Sequence, residues 1–153
     1  VKFGNSERIS STVSVSFGMY LSRVDGDVVT YDIRTRRPNM EEVMDTGTAH
    51  TVEHIFATLA RNSDVSGHVI YFGPMGCRTG FYLLVRDLPH DEAIALVKAC
   101  FAKIAVWQEA IPGATAVECG NYSDQNLKGA RAEAAKMCRI LEGWQAESLA
   151  YPA

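Results

Sequence analysis

Long apolar runs, an excess of one charge and paired cysteines are all missing from this sequence. No stretch approaches the roughly 18 apolar residues of a membrane-crossing helix, so no span is predicted. Lys and Arg number 15 against 18 Asp and Glu, a net charge of −3 with the signs mixed along the chain. That balance gives no electrostatic reason to expect nucleic acid or an anionic membrane as partner. Cysteine is sparse, with Cys77, Cys100, Cys119 and Cys138 the full set, and none of them in a C-x-x-C pair. With no secretory signal pattern in view, these four read as reduced thiols or metal ligands, and the setting as cytoplasmic. Internal repeats, low-complexity tracts and linkers are also lacking, so residues 1–153 are read as a single domain with a real core.

What is present is an alternation of short strand and helix patterns. Val13, Val15 and Phe17 alternate with polar residues, the period of a half-buried strand, which continues through Gly18 towards Leu21. Asp25-Gly26-Asp27 is a turn signal, and Val28 to Arg34 reads as the second arm of a hairpin. Arg34, Arg36 and Arg37 form a basic cluster, which on residue type alone is a solvated strand end. Ser66-Gly67 precedes a short strand from His68 to Phe72, and Phe81 to Val85 forms another. Pro89 and Asp91 open a helix that runs to about Trp107, with Asp91 able to cap it and Cys100 on its apolar face. After the Ile111-Pro112-Gly113 turn, Ala114 to Val117 fits a short strand. A last helix extends from about Asp124 to Gln145, with Cys138 as a packing residue.

The helix at Thr48 to Asn62 carries the chemistry. Val52, Ile55, Phe56 and Leu59 keep helical spacing, and Asp45, Thr46 and Thr48 can cap the start. His50 and His54 lie four apart, so both imidazoles fall on one face and can reach one ion. Glu53 stands beside them without being required as a ligand. Two nitrogen ligands with a nearby carboxylate base suit a metal-activated hydrolase or isomerase. The H-x-x-E-H pattern is also that of inverted-zincin peptidases.

A second feature is Gly73-Pro74-Met75-Gly76-Cys77-Arg78-Thr79-Gly80, with three glycines and a proline in eight residues. Such a loop can expose the Cys77 thiol, and Arg78 or a nearby dication can lower its pKa. A third ligand must come from elsewhere in the chain, and the choice lies between Cys119 and Glu118. Either would leave a coordination position for water or substrate, the catalytic pattern.

His50-Thr51-Val52-Glu53-His54, the Gly73–Gly80 loop and Glu118-Cys119-Gly120-Asn121-Tyr122 occur in that order and spacing, with Tyr31-Asp32-Ile33-Arg34 and Pro38-Asn39 upstream. Together they resemble the LuxS family, S-ribosylhomocysteine lyase, over roughly Met19 to Trp144. The resemblance implies an α+β fold, a small antiparallel sheet packed by helices, and a homodimer with active sites at the subunit interface. It implies His50, His54 and Cys119 as metal ligands and ferrous iron as the native ion, with zinc or cobalt as substitutes. Glu53 and Cys77 would be the acid/base pair, and Arg34 would contact substrate. The implied reaction cleaves the thioether of S-ribosylhomocysteine to homocysteine and 4,5-dihydroxy-2,3-pentanedione, a quorum-sensing signal precursor.

Two stretches depart from the family pattern. Phe3 matches an N-terminal Ser-Phe-x-x-Asp-His segment, but Ser6-Glu7 stands where Asp-His is expected. Three residues after Tyr122 the family carries His, and this chain has Gln125. Two readings therefore compete with the lyase. One is a divergent relative with an altered substrate or no activity. The other is a peptidase using His50, His54 and Glu118 as ligands.

Overall fold

In the computed structural model, which describes residues 15–152, four strands form one antiparallel sheet in the order β1-β2-β4-β3. The expected features at residues 2–7 and at Val13 lie outside the described residues. Strand β1 is Gly18–Asp25 and β2 is Val28–Arg34, joined by the Gly26-Asp27 turn with Asp25 opposite Val28. Strands β3, Val69–Pro74, and β4, Gly80–Arg86, bracket the glycine-rich loop. The long arm of the sheet is the β2–β4 pairing, which runs from Val28↔Arg86 to Arg34↔Gly80.

Strand alternation decides what each face carries. Met19, Tyr31, Ile33, Phe81, Leu83 and Val85 are buried on the face towards the helices. The other face carries Asp32, Arg34, Tyr82 and, next to Tyr82, Gly73. Helices α1, Thr46–Arg61, α2, His90–Ala105, and α3, Leu127–Ile140, cover the first face and pack on one another. Phe56 of α1 stacks on Phe72 at 3.7 Å between ring centroids, and Phe72 stacks on Phe81 at 5.1 Å. Aromatic pairs of this kind contribute about 0.5–1.5 kcal/mol each beyond their buried area. Cys100 sits inside this core, where burial pushes its thiol up to about 12.

The α1 start follows from its cap. The Asp45 carboxylate accepts from the Thr48 backbone N–H at 3.0 Å and from Thr48 Oγ1 at 2.6 Å, which satisfies an orphan donor of the first turn. The α3 start is set in the same way by Asn126, whose side chain accepts from the Gly129 N–H at 2.8 Å. Asn126 also donates to Asp45 at 3.2 Å, so the two helix starts are tied together.

Several expectations are corrected. The strand expected over Val15 and Phe17 begins only at Gly18, because Gly18 already faces Arg34, the last residue of β2. Phe17 is used otherwise. Its carbonyl accepts from Tyr20 Oη at 2.8 Å, and its ring faces Lys136 at 4.3 Å. Ala114 to Val117 is not a strand but a tight turn, closed by the Cys119 N–H to the Thr115 carbonyl at 2.9 Å. Asp91 does not cap α2, since that helix follows Pro89 directly. Asp91 and Glu92 instead lie in its first turn, where they favour the helix dipole. The helices stop at Ala105 and Ile140, short of Trp107 and Gln145. Trp144 leaves the helix to donate from Nε1 to the Met19 carbonyl at 2.9 Å.

Candidate metal centre and thiol loop

His50 and His54 project from α1 towards the segment that joins α2 to α3. His50 Nδ1 lies 2.8 Å from the Asp124 carbonyl, and His54 Nδ1 lies 2.7 Å from the Pro112 carbonyl. A carbonyl only accepts, so each Nδ1 carries the ring proton and each Nε2 is left with a bare lone pair. The two Nε2 atoms are 2.9 Å apart. Two facing lone pairs at that distance repel unless a cation stands between them.

Cys119 supplies the third donor, with its Sγ 3.4 Å from His50 Nε2. The three donor atoms lie within 4.8 Å of one another, and they are the cluster of this kind found among the described residues. A tetrahedral ion with metal–nitrogen bonds of about 2.0–2.1 Å and a metal–sulfur bond of about 2.3 Å sets N···N near 3.3 Å and N···S near 3.6 Å. The two observed spacings are a few tenths of an ångström tighter, and the third pair lies within 4.8 Å, so the donors are close enough to converge on one small dication. Glu118 is not among them. It is exposed and accepts from Thr115 Oγ1 at 2.8 Å, which removes the ligand that the peptidase reading requires.

Gly113 lets the Pro112 carbonyl reach His54. Its φ of +69° belongs to the left-handed region, and a Cβ there would lie 3.2 Å from His54 Nδ1. Only glycine occupies that corner without strain or crowding. Glu53 is half-buried and lines a hollow of about 370 Å³ together with His50, Met75, Gly76 and Asn121.

Cys77 opens to a different hollow, bordered by Arg34, Pro38, Met75, Thr79 and Tyr82. The two hollows share Met75 and Gly76 in their walls. The thiol is exposed, and its neighbours are charged. Sγ lies 3.0 Å from Thr79 Oγ1, which accepts from Arg34 Nη1 at 2.6 Å; that same Nη1 is 4.0 Å from the sulfur. Burial pushes the Cys77 thiol up, but the Thr79 hydrogen bonds and the Arg34 guanidinium outweigh it and hold the pKa below the ordinary thiol value. Cys77 is thus predisposed to be a thiolate base.

The basic cluster is not a solvated strand end. Arg34 is only 5% exposed, and its Nε and Nη2 donate to the Asp32 carboxylate at 2.7 and 3.2 Å. Burial works against the Arg34 charge, and the Asp32 bonds overcome it. Arg36 pairs with Glu133, and only Arg37, with Glu41, forms an outward ion pair. Sequence reasoning did not single out Asp32, Thr79 or Tyr151, whose Oη donates to Asp32 at 2.7 Å. Asp32 was findable from Arg34, since residues two apart on a strand share a face. Tyr151 had no signal.

Among the described residues no helix is long and apolar enough to cross a membrane. The sequence profile of the family described as S-Ribosylhomocysteinase (LuxS) matches residues 9–148. The S-ribosylhomocysteine lyase of Borreliella burgdorferi (strain ZS7) is 45% identical over 141 residues, covering 88% of this chain and 90% of the relative. The protein of the same name from Finegoldia magna is 45% identical over 140 residues, with 88% and 89% covered. That of Clostridium acetobutylicum is 43% identical over 141 residues, with the same coverage.

Proposed function

The chain belongs to the S-ribosylhomocysteinase (LuxS) family, and on that premise we propose how it cleaves the thioether of S-ribosylhomocysteine to homocysteine and 4,5-dihydroxy-2,3-pentanedione. The observation that carries the reading is the convergence of His50, His54 and Cys119, with both imidazole lone pairs aimed at one point. These three residues are the metal ligands of the proposal, and ferrous iron is the native ion, with zinc or cobalt able to replace it. When bound, the ion supplies Lewis acidity to the carbonyl and hydroxyl oxygens of the sugar.

The protein's own groups then move protons. The carbonyl has to migrate along the sugar, and each migration removes a proton from one carbon and returns one to its neighbour. Cys77, held as a thiolate by Thr79 and Arg34, takes one set of these protons, and Glu53 the other. Once the carbonyl stands two carbons from the sulfur, a base removes the proton between them. The electron pair forms the carbon–carbon double bond, the carbon–sulfur bond breaks, and homocysteine leaves as its thiolate. Arg34 borders the thiol's hollow and contacts the substrate there.

The reading includes a homodimer with the active sites at its interface. Two observations support this. The hollows of Cys77 and of His50 are separate but share Met75 and Gly76 in their walls, and a second chain packed there would close both. The sheet face away from the helices also leaves Tyr71 and Tyr82 exposed, at 48% and 36%. A single domain is supported by one continuous hydrophobic cluster that joins sheet and helices. Cytoplasmic placement is supported by the free thiols of Cys77 and Cys119, which oxidation would disable.

The test is thiol release. The protein is reconstituted anaerobically with ferrous iron, S-ribosylhomocysteine is added, and free homocysteine is followed with a thiol reagent. Release that vanishes in Cys77→Ala and in Glu53→Gln supports the assignment of both residues. A fully metallated protein that releases no thiol refutes it.

A further inference from the structure

Gln125 stands where the sequence departs from its family, and the structure gives it a place beside the metal cluster. Its Oε1 is 2.7 Å from Thr51 Oγ1, and its Nε2 is 3.3 Å from His50 Nδ1. Thr51 is fully buried on α1, and its Oγ1 also accepts from the Asn126 N–H at 2.9 Å. The side chain therefore bridges α1 to the segment that carries Cys119, and it ends on the one ring nitrogen of His50 that faces away from the ion.

The ring proton decides which end of the amide is useful. His50 Nδ1 gives its proton towards the Asp124 carbonyl at 2.8 Å, so a second partner stabilises it only by accepting. The two ends of a carboxamide are alike in size, and the group can turn in place. As placed, Oε1 accepts from Thr51 Oγ1; turned end for end, Oε1 faces the Nδ1 proton and the NH2 donates to Thr51 Oγ1, which reverses the Thr51 bond. That oxygen has two lone pairs, and Asn126 uses only one of them. Two acceptors on Nδ1 lock the imidazole plane and make Nε2 a stronger donor to a metal.

We infer that Gln125, held by Thr51, is a positioning residue for His50 that tightens the metal site through its Nδ1 proton. The inference rests on the reading of His50, His54 and Cys119 as metal ligands. It predicts that the family's histidine at this position is replaced here by a neutral amide doing outer-sphere work.

The test reads metal binding rather than turnover. Apo protein is titrated anaerobically with Co(II), the thiolate-to-cobalt and ligand-field bands are recorded, and affinity is measured by competition with a chromogenic chelator. Gln125→Leu should weaken binding by about 10- to 100-fold, the range seen when outer partners of a metal-bound histidine are removed, and should shift the ligand-field bands. Gln125→Glu keeps an acceptor and should bind at least as tightly as wild type. A second pair tests the Thr51 hydroxyl. Thr51→Val keeps the shape and loses the hydroxyl, so affinity falls; Thr51→Ser loses the methyl and keeps the hydroxyl, so affinity is retained. Because Thr51 Oγ1 also holds the Asn126 N–H, Gln125→Met, which keeps the length and loses the amide, decides the matter if Gln125→Leu fails to fold, and it should weaken binding in the same way. Wild-type affinity and spectrum in both Gln125→Leu and Thr51→Val would overturn the inference while leaving the metal site standing. A wild type that takes up no cobalt, with His50→Ala indistinguishable from it, would overturn the metal reading and this inference together.

Discussion

Replacing Thr79 by valine should move the titration of Cys77 upward. Thr79 is 3% exposed, and valine matches its shape, so the change deletes a hydroxyl and little else. That hydroxyl is the middle of a relay in which Arg34 Nη1 donates to Thr79 Oγ1 at 2.6 Å and Thr79 Oγ1 reaches Cys77 Sγ at 3.0 Å. Without it the thiolate keeps the backbone hydrogen bond from residue 79 and the guanidinium contact at 4.0 Å, the limit of a useful hydrogen bond to sulfur. A hydrogen bond to a charged group contributes about 1.5–3 kcal/mol. Cys77 is exposed, and solvent screening points to the lower end of that range. At 1.36 kcal/mol per pKa unit, the loss is a rise of about one unit.

The sign follows from the direction of the shift. Cys77 titrates below the ordinary thiol value in the wild type, so the thiolate is the form that the fold favours. Reaction of Cys77 with iodoacetamide therefore rises as pH passes upward through its pKa, and so does the acid limb of kcat/KM. In Thr79→Val both curves move to higher pH. The alkylation rate is measured against pH on metal-loaded protein, in which Cys119 is covered, and Cys77→Ala provides the background. Unmoved midpoints in Thr79→Val would refute the relay and leave the residue-79 backbone N–H and Arg34 to account for the lowered pKa.

Further outcomes follow from other contacts. Cys119→Ser should abolish the thiolate-to-cobalt charge-transfer band and lower the bound metal measured after dialysis, because the only sulfur of the cluster is lost. Asp32→Asn leaves the buried Arg34 charge without its counter-ion, and breaking such a pair costs about 3–5 kcal/mol; chemical denaturation reads the loss. Gly129→Ala would put a Cβ 2.0 Å from Thr48 Oγ1. Overpacking there should cost about 1–3 kcal/mol by thermal unfolding and weaken metal binding as the α3 start is pushed from α1.

The helices were legible because their stripes are long and regular. Val52, Ile55 and Phe56 mark the core side of α1, and all three are fully buried. Their ends were less legible, since Trp144 continues the apolar spacing yet serves a hydrogen bond to Met19 rather than the helix. Ala114 to Val117 resembled a strand in composition, but it joins no strand of the sheet and instead closes on itself through the Thr115 carbonyl. Arg34 was misread for a related reason. On one strand it is a charge at a terminus, and only the pairing of β2 with β4 sets Gly80 beside it and brings Thr79 within reach.

The candidate metal centre was legible in its three donors and hidden in what orients them. Histidine and cysteine are recognisable residue types, and four-residue spacing on a helix is a strong geometric statement. The groups that fix the imidazole tautomers here are the carbonyls of Pro112 and Asp124, and every residue has a carbonyl. What makes these two effective is loop geometry: the positive φ of Gly113 at one, and at the other the tie from Asn126 to Asp45 and Thr51. It follows that an H-x-x-E-H helix alone does not make a metal site. The same helix with its Pro112 and Asp124 carbonyls turned away would present freely rotating rings, and it would pay the cost of ordering them when the ion bound. Two of the three candidate ligands are written in the helix, and the third, with the carbonyls that aim the imidazoles, in the segment between α2 and α3.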